Sequence, residues 1–305
     1  MPEAMGPHPK GPEAMGPHPK GPEAMGPQAK GPKATGPDGT ETVSAGAWQV
    51  ATVDSVHTES PRVKLFRLKL PVPGKFQAGQ YYDIRLSAPD GYQAQRSYSI
   101  SSSPVEPDVI ELTIELILDG EVSSYFHEAV EKGERIELRG PIGGHFTWTP
   151  DYTGPVLLVA GGSGIAPLMS ILRHRRTVGA SSQMLLMFSV RAASDILFRR
   201  ELEEMARADA SFKLVITLTR AAPKSWTGQI RRIDRKMIDT AFKMVAAGAG
   251  VSDAESEEFD RATTHQPTFG RAYICGGTGF VESIAGYLLD TGMEYGEIRT
   301  ERFGP

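Results

Sequence analysis

The residues with the most chemistry in this 305-residue chain fall into a few short stretches. Arg96-Ser97-Tyr98-Ser99 offers a guanidinium that can meet a phosphate, a ring that can stack on a flat cofactor, and hydroxyls that can bond ring nitrogens. Taken alone it is also compatible with a polar strand carrying an exposed tyrosine. Gly120-Glu121-Val122-Ser123-Ser124 is a glycine turn opening a helix, where free N–H groups and the positive end of the helix dipole favour a pyrophosphate. Ordinary N-capping by serine would look the same. Ala160-Gly161-Gly162-Ser163-Gly164-Ile165-Ala166-Pro167 follows an unbroken apolar run and precedes a helix. Its glycines allow close backbone approach to a pyrophosphate, and Pro167 sits where a first helical turn tolerates it. The spacing matches neither a Walker loop nor the usual dinucleotide fingerprint. A second glycine turn, Cys275-Gly276-Gly277, ends another apolar run, at the strand end where open parallel sheets bind ligands.

Two textures of sequence must position these stretches. From about Ala47 to Trp148, short alternating segments (50–56, 63–70, 81–86 and 110–116) are separated by Pro/Gly turns, with a helix expected at 122–132. This pattern predicts an antiparallel barrel. After Pro150, continuous apolar runs at 156–160, 184–188, 213–218 and 271–275 alternate with helical segments near 167–176, 198–208 and 233–245. That alternation predicts a doubly wound parallel sheet. The division is therefore a tail at 1–45, a barrel domain at 46–150 and an α/β domain at 151–305. The tail repeats a Gly/Pro-rich decamer, Gly11 to Lys20 nearly copying the block before it. It lacks the large apolar side chains needed to offset ordering entropy and is expected to be disordered. His8 and His18 recur with the repeat and read as copied linker residues rather than metal ligands. The polar stretch from Gly248 to Gly270 reads as a long surface loop.

Composition narrows the function. Thirty-three basic against 37 acidic residues leave a net charge of −4, which argues against a nucleic-acid partner. The single cysteine, Cys275, excludes an internal disulfide and a Cys-rich metal site, and it suits a cytoplasmic location. The longest apolar run is interrupted by Gly161, Gly162, Gly164 and Pro167, so no membrane span is expected.

In order and spacing, the four stretches together resemble the ferredoxin–NADP reductase superfamily from about residue 47 onward. The resemblance implies that Arg96 meets a flavin diphosphate, Tyr98 stacks on the flavin ring and Ser99 bonds near its reactive nitrogen. Ser97 lies within the same motif. Gly120, Val122, Ser123 and Ser124 would hold the flavin pyrophosphate, FAD being favoured over FMN. Gly140-Pro141-Ile142-Gly143 would close the barrel. Gly161, Gly162, Ser163, Gly164 and Pro167 would take the NADPH or NADH pyrophosphate, with Cys275, Gly276 and Gly277 beside the nicotinamide. Thr219, Arg220, Arg231 and Arg232 would bear on a 2′-phosphate, with a slight lean to NADPH. Glu301 and Phe303 resemble the acidic and aromatic residues that assist hydride transfer and cover the flavin, although this chain ends in Phe303-Gly304-Pro305 rather than a terminal tyrosine. No residue is assigned to a metal.

The implied activity passes hydride from NAD(P)H to bound FAD, with Ser99, Cys275 and Glu301 at the transfer site, and electrons onward to a separate acceptor such as a ferredoxin, an oxygenase component or another redox protein. The basic clusters Arg173-His174-Arg175-Arg176 and Arg199-Arg200 read either as a docking patch for such a partner or, preferably, as solvated helix faces. Two rival readings are a flavin reductase that releases reduced flavin, and a catalytically silent interaction protein that keeps the fold.

Overall fold

The computed structural model describes residues 46–248 and 269–303, together with two short strands, Ala34–Thr35 and Glu41–Thr42, that pair antiparallel. The decamer repeats and most of the polar stretch after Gly248 lie outside the described residues.

Six strands form the first unit: β1 (Trp48–Ser60), β2 (Val63–Lys69), β3 (Tyr81–Ser87), β4 (Gln93–Ser99), β5 (Val109–Glu115) and β6 (Arg135–Ile142). They pair antiparallel in the order β4-β3-β6-β1-β2-β5. A bridge between Ile100 and Leu112 joins the two outer strands and closes the barrel. Alternating residues such as Leu68, Ile84, Leu112 and Leu138 are fully buried inside it, as a closed sheet with one apolar face requires. Helix α1 (Glu121–Glu128) caps the barrel with Val122 and Phe126. It stops short of the expected 132, because Lys132 and Gly133 form the turn into β6.

The second unit is a parallel sheet of β7 (Val156–Gly161), β8 (Met184–Ala192), β9 (Phe212–Ala221), β10 (Arg271–Gly277) and β11 (Ile298–Phe303). The order is β9-β8-β7-β10-β11. Val156 to Ala160 are all buried, because β7 is the central strand and is covered on both faces. Helices α2 (Ile165–Val178), α3 (Arg199–Ala208), α4 (Arg235–Gly248) and α5 (Thr278–Asp290) accompany it. From β7 the chain moves outward to β8 and later returns to β7's other side as β10. The crevice between β7 and β10 is thus the topological switch point where such sheets bind ligands.

Three elements go beyond the sequence expectation. Strand β6, Arg135-Ile136-Glu137-Leu138, carries the alternation of the other barrel strands but lies behind a charged turn. Helix α5 follows the second glycine turn directly. Strand β11 replaces the simple C-terminal segment expected around Glu301; its Arg299, Thr300, Glu301 and Arg302 are polar because β11 is an edge strand.

The two units share one apolar core. Val63, Leu65, Ala78, Phe146 and Trp148 of the first pack with Val156, Leu158, Leu168 and Tyr273 of the second. Each Val, Leu or Phe so buried contributes roughly 1.5–3 kcal/mol. Arg173 of α2 clasps the same interface from the polar side. It bonds Glu111 of β5 (2.6 Å), Glu201 of α3 (2.7 Å) and the Ser101 carbonyl (3.0 Å). Arg175 is buried against Asp209, Arg176 pairs with Glu201, and Arg199 pairs with Glu203. Arg173 and Arg175 are therefore part of neither an open patch nor a solvated face, whereas Arg176, Arg199 and Arg200 stay exposed on their helices. Acids on neighbouring elements engage Arg173, Arg175 and Arg176, and Arg199 pairs within α3.

Candidate active site

Parallel pairing of β10 and β11 sets Cys275 opposite Glu301 and Gly277 opposite Phe303. The Glu301 carboxylate leaves its own unit and accepts the Ser99 hydroxyl from the end of β4, Oγ to Oε1 3.0 Å. Ser99, Cys275 and Glu301, 202 residues apart at the extremes, thus meet at one point on the seam. Ser99 and Cys275 are buried, at 2% and 0% exposure. Burial pushes the Glu301 carboxyl up to about 7, opposed by the Ser99 hydrogen bond. Burial, and then the neighbouring Glu301, raise the Cys275 thiol well above its ordinary value, so this cysteine is a neutral packing group and not a thiolate. Glu301 Oε2 is buried with no hydrogen-bond partner among the described residues. A buried polar atom of this kind wants a partner from a bound molecule.

The segment that carries Ser99 is held from behind. Ser101 donates from its amide to the Glu111 carbonyl and from its hydroxyl to the Glu111 carboxylate (both 2.8 Å). The Ser102 carbonyl accepts Ser170 Oγ of α2 at 2.7 Å. Arg173 completes the clamp through the Ser101 carbonyl.

On the barrel side, Tyr98 is half-buried with its ring 6.2 Å from Phe126. Burial pushes its phenol up to about 12, against the opposing charge of Arg96. Arg96 is exposed and bonds only the Gln95 carbonyl (2.7 Å), with no ion pair among the described residues. Strand alternation turns Ser97 to the face opposite Tyr98, where it donates to Asp83 (2.7 Å), itself paired with Arg139. Its hydroxyl secures β4 to β3 and is not brought together with Arg96 and Tyr98.

At the start of α1, Gly120 is the N-cap and no side chain caps the first turn, so the first amide groups remain available. A side chain at Gly120 would put Cβ 2.6 Å from Ser123 Oγ. Ser123 is buried and spends its hydroxyl on the Ile117 amide and the Gly120 carbonyl (both 3.1 Å). Val122 is buried in the barrel core, and Ser124 is half-exposed. What this turn presents outward is therefore mainly backbone N–H, with the side chains of Val122 and Ser123 holding its shape.

Beyond the seam lies a cleft of about 960 Å³. Gly161, Gly162 and Ser163 of the first glycine turn line it together with Gly276, Gly277 and Phe303. Gly164 touches the other turn so closely that a Cβ there would sit 2.3 Å from the Cys275 carbonyl oxygen. Pro167 is buried in the first turn of α2. At the far end Thr219 and Arg231 line the cleft, while Arg220, next along β9 from Thr219, does not. Alternation along the strand accounts for the difference. Arg231 is paired with Asp234. Arg232, expected from the sequence together with Arg231, also lines the cleft, as do Arg62, Glu115, Arg191 and Phe280, which were not singled out in the sequence. Arg191 has a legible signal, since it lies at the end of a parallel strand. Arg62 and Glu115 come from the barrel and reach the cleft only through domain packing.

Comparison with known proteins fits this geometry. The family model for an oxidoreductase FAD-binding domain matches residues 50–148, and that for an oxidoreductase NAD-binding domain matches 158–285. Ferredoxin–NADP reductase B of Sorangium cellulosum is 37% identical over 175 residues, covering 57% of this chain and 70% of that protein. The chain belongs to the ferredoxin–NADP reductase superfamily. The phenol hydroxylase P5 protein of Acinetobacter pittii is 28% identical over 83% of this chain and 65% of its own length. For the glycine betaine monooxygenase reductase subunit of Pseudomonas aeruginosa the figures are 28%, 87% and 67%. The chain thus spans about two thirds of the length of these two relatives. A ferredoxin NADP+ reductase from Neisseria gonorrhoeae with bound FAD and NADP superposes with a TM-score of 0.65 at 24% identity, over 84% of this chain and 98% of that one. At that identity it supports the fold alone.

This reductase is an NAD(P)H-dependent FAD oxidoreductase. Its residues fit both cofactors: Glu301 offers an unpartnered oxygen, Arg96 an unpaired guanidinium, α1 an uncapped first turn, and the β7–β10 crevice two apposed glycine turns.

Proposed function

We propose that this reductase takes hydride from NAD(P)H onto FAD at the Ser99–Glu301–Cys275 seam and delivers the electrons to a separate acceptor protein, a ferredoxin or an oxygenase component. The observation that carries the reading is the Ser99–Glu301 contact. It joins the end of the flavin-side strand to the strand beside the coenzyme turn, at a carboxyl that burial pushes up to about 7.

Bound FAD would supply the capacity to accept an electron pair and release it singly. The chain's own residues do the rest. Arg96 and the α1 amide groups would hold the flavin diphosphate, and Tyr98 would pack against the ring. The Gly161–Gly164 turn, with Thr219 and Arg231 at the far end, would hold the coenzyme so that its nicotinamide meets Cys275, Gly276 and Gly277. Buried Cys275 keeps water out and sets van der Waals distance. Glu301 retains a proton at the seam, and Ser99 links it to the barrel side. Phe303 lines the same cleft and would shield the reacting faces from solvent.

Support for a separate acceptor comes from two sides. Relatives are described as reductase subunits or components of monooxygenases and a dioxygenase system. This chain's single cysteine cannot furnish the four thiolates of a plant-type iron–sulfur centre. The buried free thiol suits the reducing cytoplasm, where we place the protein. We divide its working domains near Pro150.

The test is an anaerobic visible spectrum of the purified protein during addition of NADPH or NADH and then of a ferredoxin. The expected result is a flavin band that bleaches with coenzyme and returns as the ferredoxin is reduced. Bleaching with no transfer to any protein acceptor, and loss of the flavin once reduced, would overturn the acceptor reading in favour of reduced-flavin release.

A further inference from the structure

Glu115 is the last residue of β5 and belongs to the barrel, yet its side chain reaches across the cleft. Its Oε2 accepts the hydroxyl of Ser163 at 2.7 Å. Ser163 carries the only hydroxyl in the Gly161–Gly164 turn, so that hydroxyl is already engaged by a carboxylate. Among the described residues, the cation beside Glu115 is Arg62, 3.7 Å from Oε1 and bonded to the Leu116 carbonyl at 2.9 Å. That pairing is loose. The Glu115 side chain is 30% exposed and that of Arg62 is 52% exposed, so solvent screens much of their attraction.

A glycine turn at the switch point is built to receive a diphosphate. A carboxylate within hydrogen-bond distance of that turn places like charge beside the ligand's charge, and like-charge juxtaposition weakens binding. We propose that Glu115 limits the affinity of the reductase for its coenzyme. Its carboxylate occupies the Ser163 hydroxyl. To admit the diphosphate it must release that hydroxyl, and it then faces the bound anion while Arg62 restrains it. In a reductase the spent coenzyme must leave after each hydride transfer, and a standing like charge promotes that departure. Glu115 is therefore a determinant of coenzyme affinity and does not take part in the chemistry. The proposal rests on the assignment of this cleft to NAD(P)H.

Glu115→Gln keeps an oxygen for Ser163 and removes the charge. The direct measurement is the Kd of the oxidised flavin-loaded enzyme for NADP+ and NAD+, read from the perturbation of the flavin spectrum at low and high salt. The expected result is a Kd about tenfold lower in Glu115→Gln at low salt. The two proteins should converge near 1 M salt, where the screening length falls to about 3 Å. Arg62→Ala should weaken binding in the wild type more than in Glu115→Gln. A Kd that is unchanged by Glu115→Gln, or is raised by it at low salt, overturns the proposal; the latter would make the carboxylate an acceptor for a ribose hydroxyl. Arg191→Ala, elsewhere in the cleft, keeps the two ideas separable. If it leaves both Kd values unchanged, the assignment of the cleft fails and the proposal fails with it. If it weakens binding, the assignment stands whatever Glu115→Gln shows.

Discussion

Two serine–carboxylate contacts cross the same interface in opposite directions. In one, Ser99 of the barrel donates to Glu301 of the parallel sheet; in the other, Ser163 of the parallel-sheet unit donates to Glu115 of the barrel. The chemistry of the pair is the same and the surroundings are not. Glu301 is enclosed by Cys275, Ser99 and the shared core, with one oxygen unpartnered. Glu115 opens onto the cleft beside an exposed arginine. Burial pushes the first carboxyl up to about 7, while the second stays partly exposed at the cleft with Arg62 beside it. The environment, more than the residue type, assigns the role.

The comparison breaks most severely at Arg173, which clamps the segment ending in Ser99. Arg173→Met leaves Glu111 and Glu201 facing each other without their shared cation. Loss of a buried ion-pair partner costs about 3–5 kcal/mol, less here because both acids retain some solvent. Denaturant unfolding should show a loss of about 3 kcal/mol, and the Ser163–Glu115 side should suffer less, with coenzyme still binding at temperatures where the protein stays folded. An unchanged midpoint would mean the clamp is incidental.

Ser99→Ala separates the two contacts functionally. Removing its hydroxyl strips Glu301 of its one hydrogen bond and drives the carboxyl further up, since that bond is what lowers it. The rate of flavin reduction at saturating coenzyme should fall about 10- to 100-fold, with Kd for the coenzyme nearly unchanged. Ser163→Ala should do the reverse: Kd rises about two- to threefold and the limiting rate holds. Single-turnover kinetics on both variants measures the pair, and a matching pattern in the two would erase the distinction.

A smaller effect concerns stability. The Glu301 carboxyl titrates higher folded than unfolded, so the folded protein binds its proton more tightly. That contribution is fully present below about pH 4.5 and is lost as pH rises through about 7. Thermal melts of the flavin-free protein should show this decline, and Glu301→Gln should flatten that part of the curve.

Much of this arrangement was legible in the sequence. The antiparallel barrel, the parallel sheet and both glycine turns follow from strand period and from Gly placement after apolar runs. Strand β11 was missed for a physical reason: an edge strand such as Ile298-Arg299-Thr300-Glu301-Arg302-Phe303 is stabilised by pairing with β10, which leaves no apolar period to see. Ser97 illustrates a second limit. A motif names four successive residues, but it does not show which of their side chains neighbouring strands will take, and the Ser97 hydroxyl is committed to Asp83. Arg220 yields to Arg191 and Arg232 at the far end of the cleft. The Arg173 cluster looked like surface charge because its acidic partners lie 28 and 62 residues away, on other elements. Glu115 could not be found from sequence at all, since only the packing of the two units brings β5 to the glycine turn.

The central claim is that hydride crosses at the Ser99–Glu301–Cys275 seam under a carboxyl held near neutrality. The most direct test is the anaerobic rate of flavin reduction at saturating coenzyme across about pH 5–9, for the wild type and Glu301→Gln. The wild-type rate should be highest at low pH and fall through a single ionisation near 7, while Glu301→Gln should be slower throughout and lack that ionisation. The same ionisation in both proteins, at the same rate, would contradict the account and place the transfer site elsewhere in the cleft.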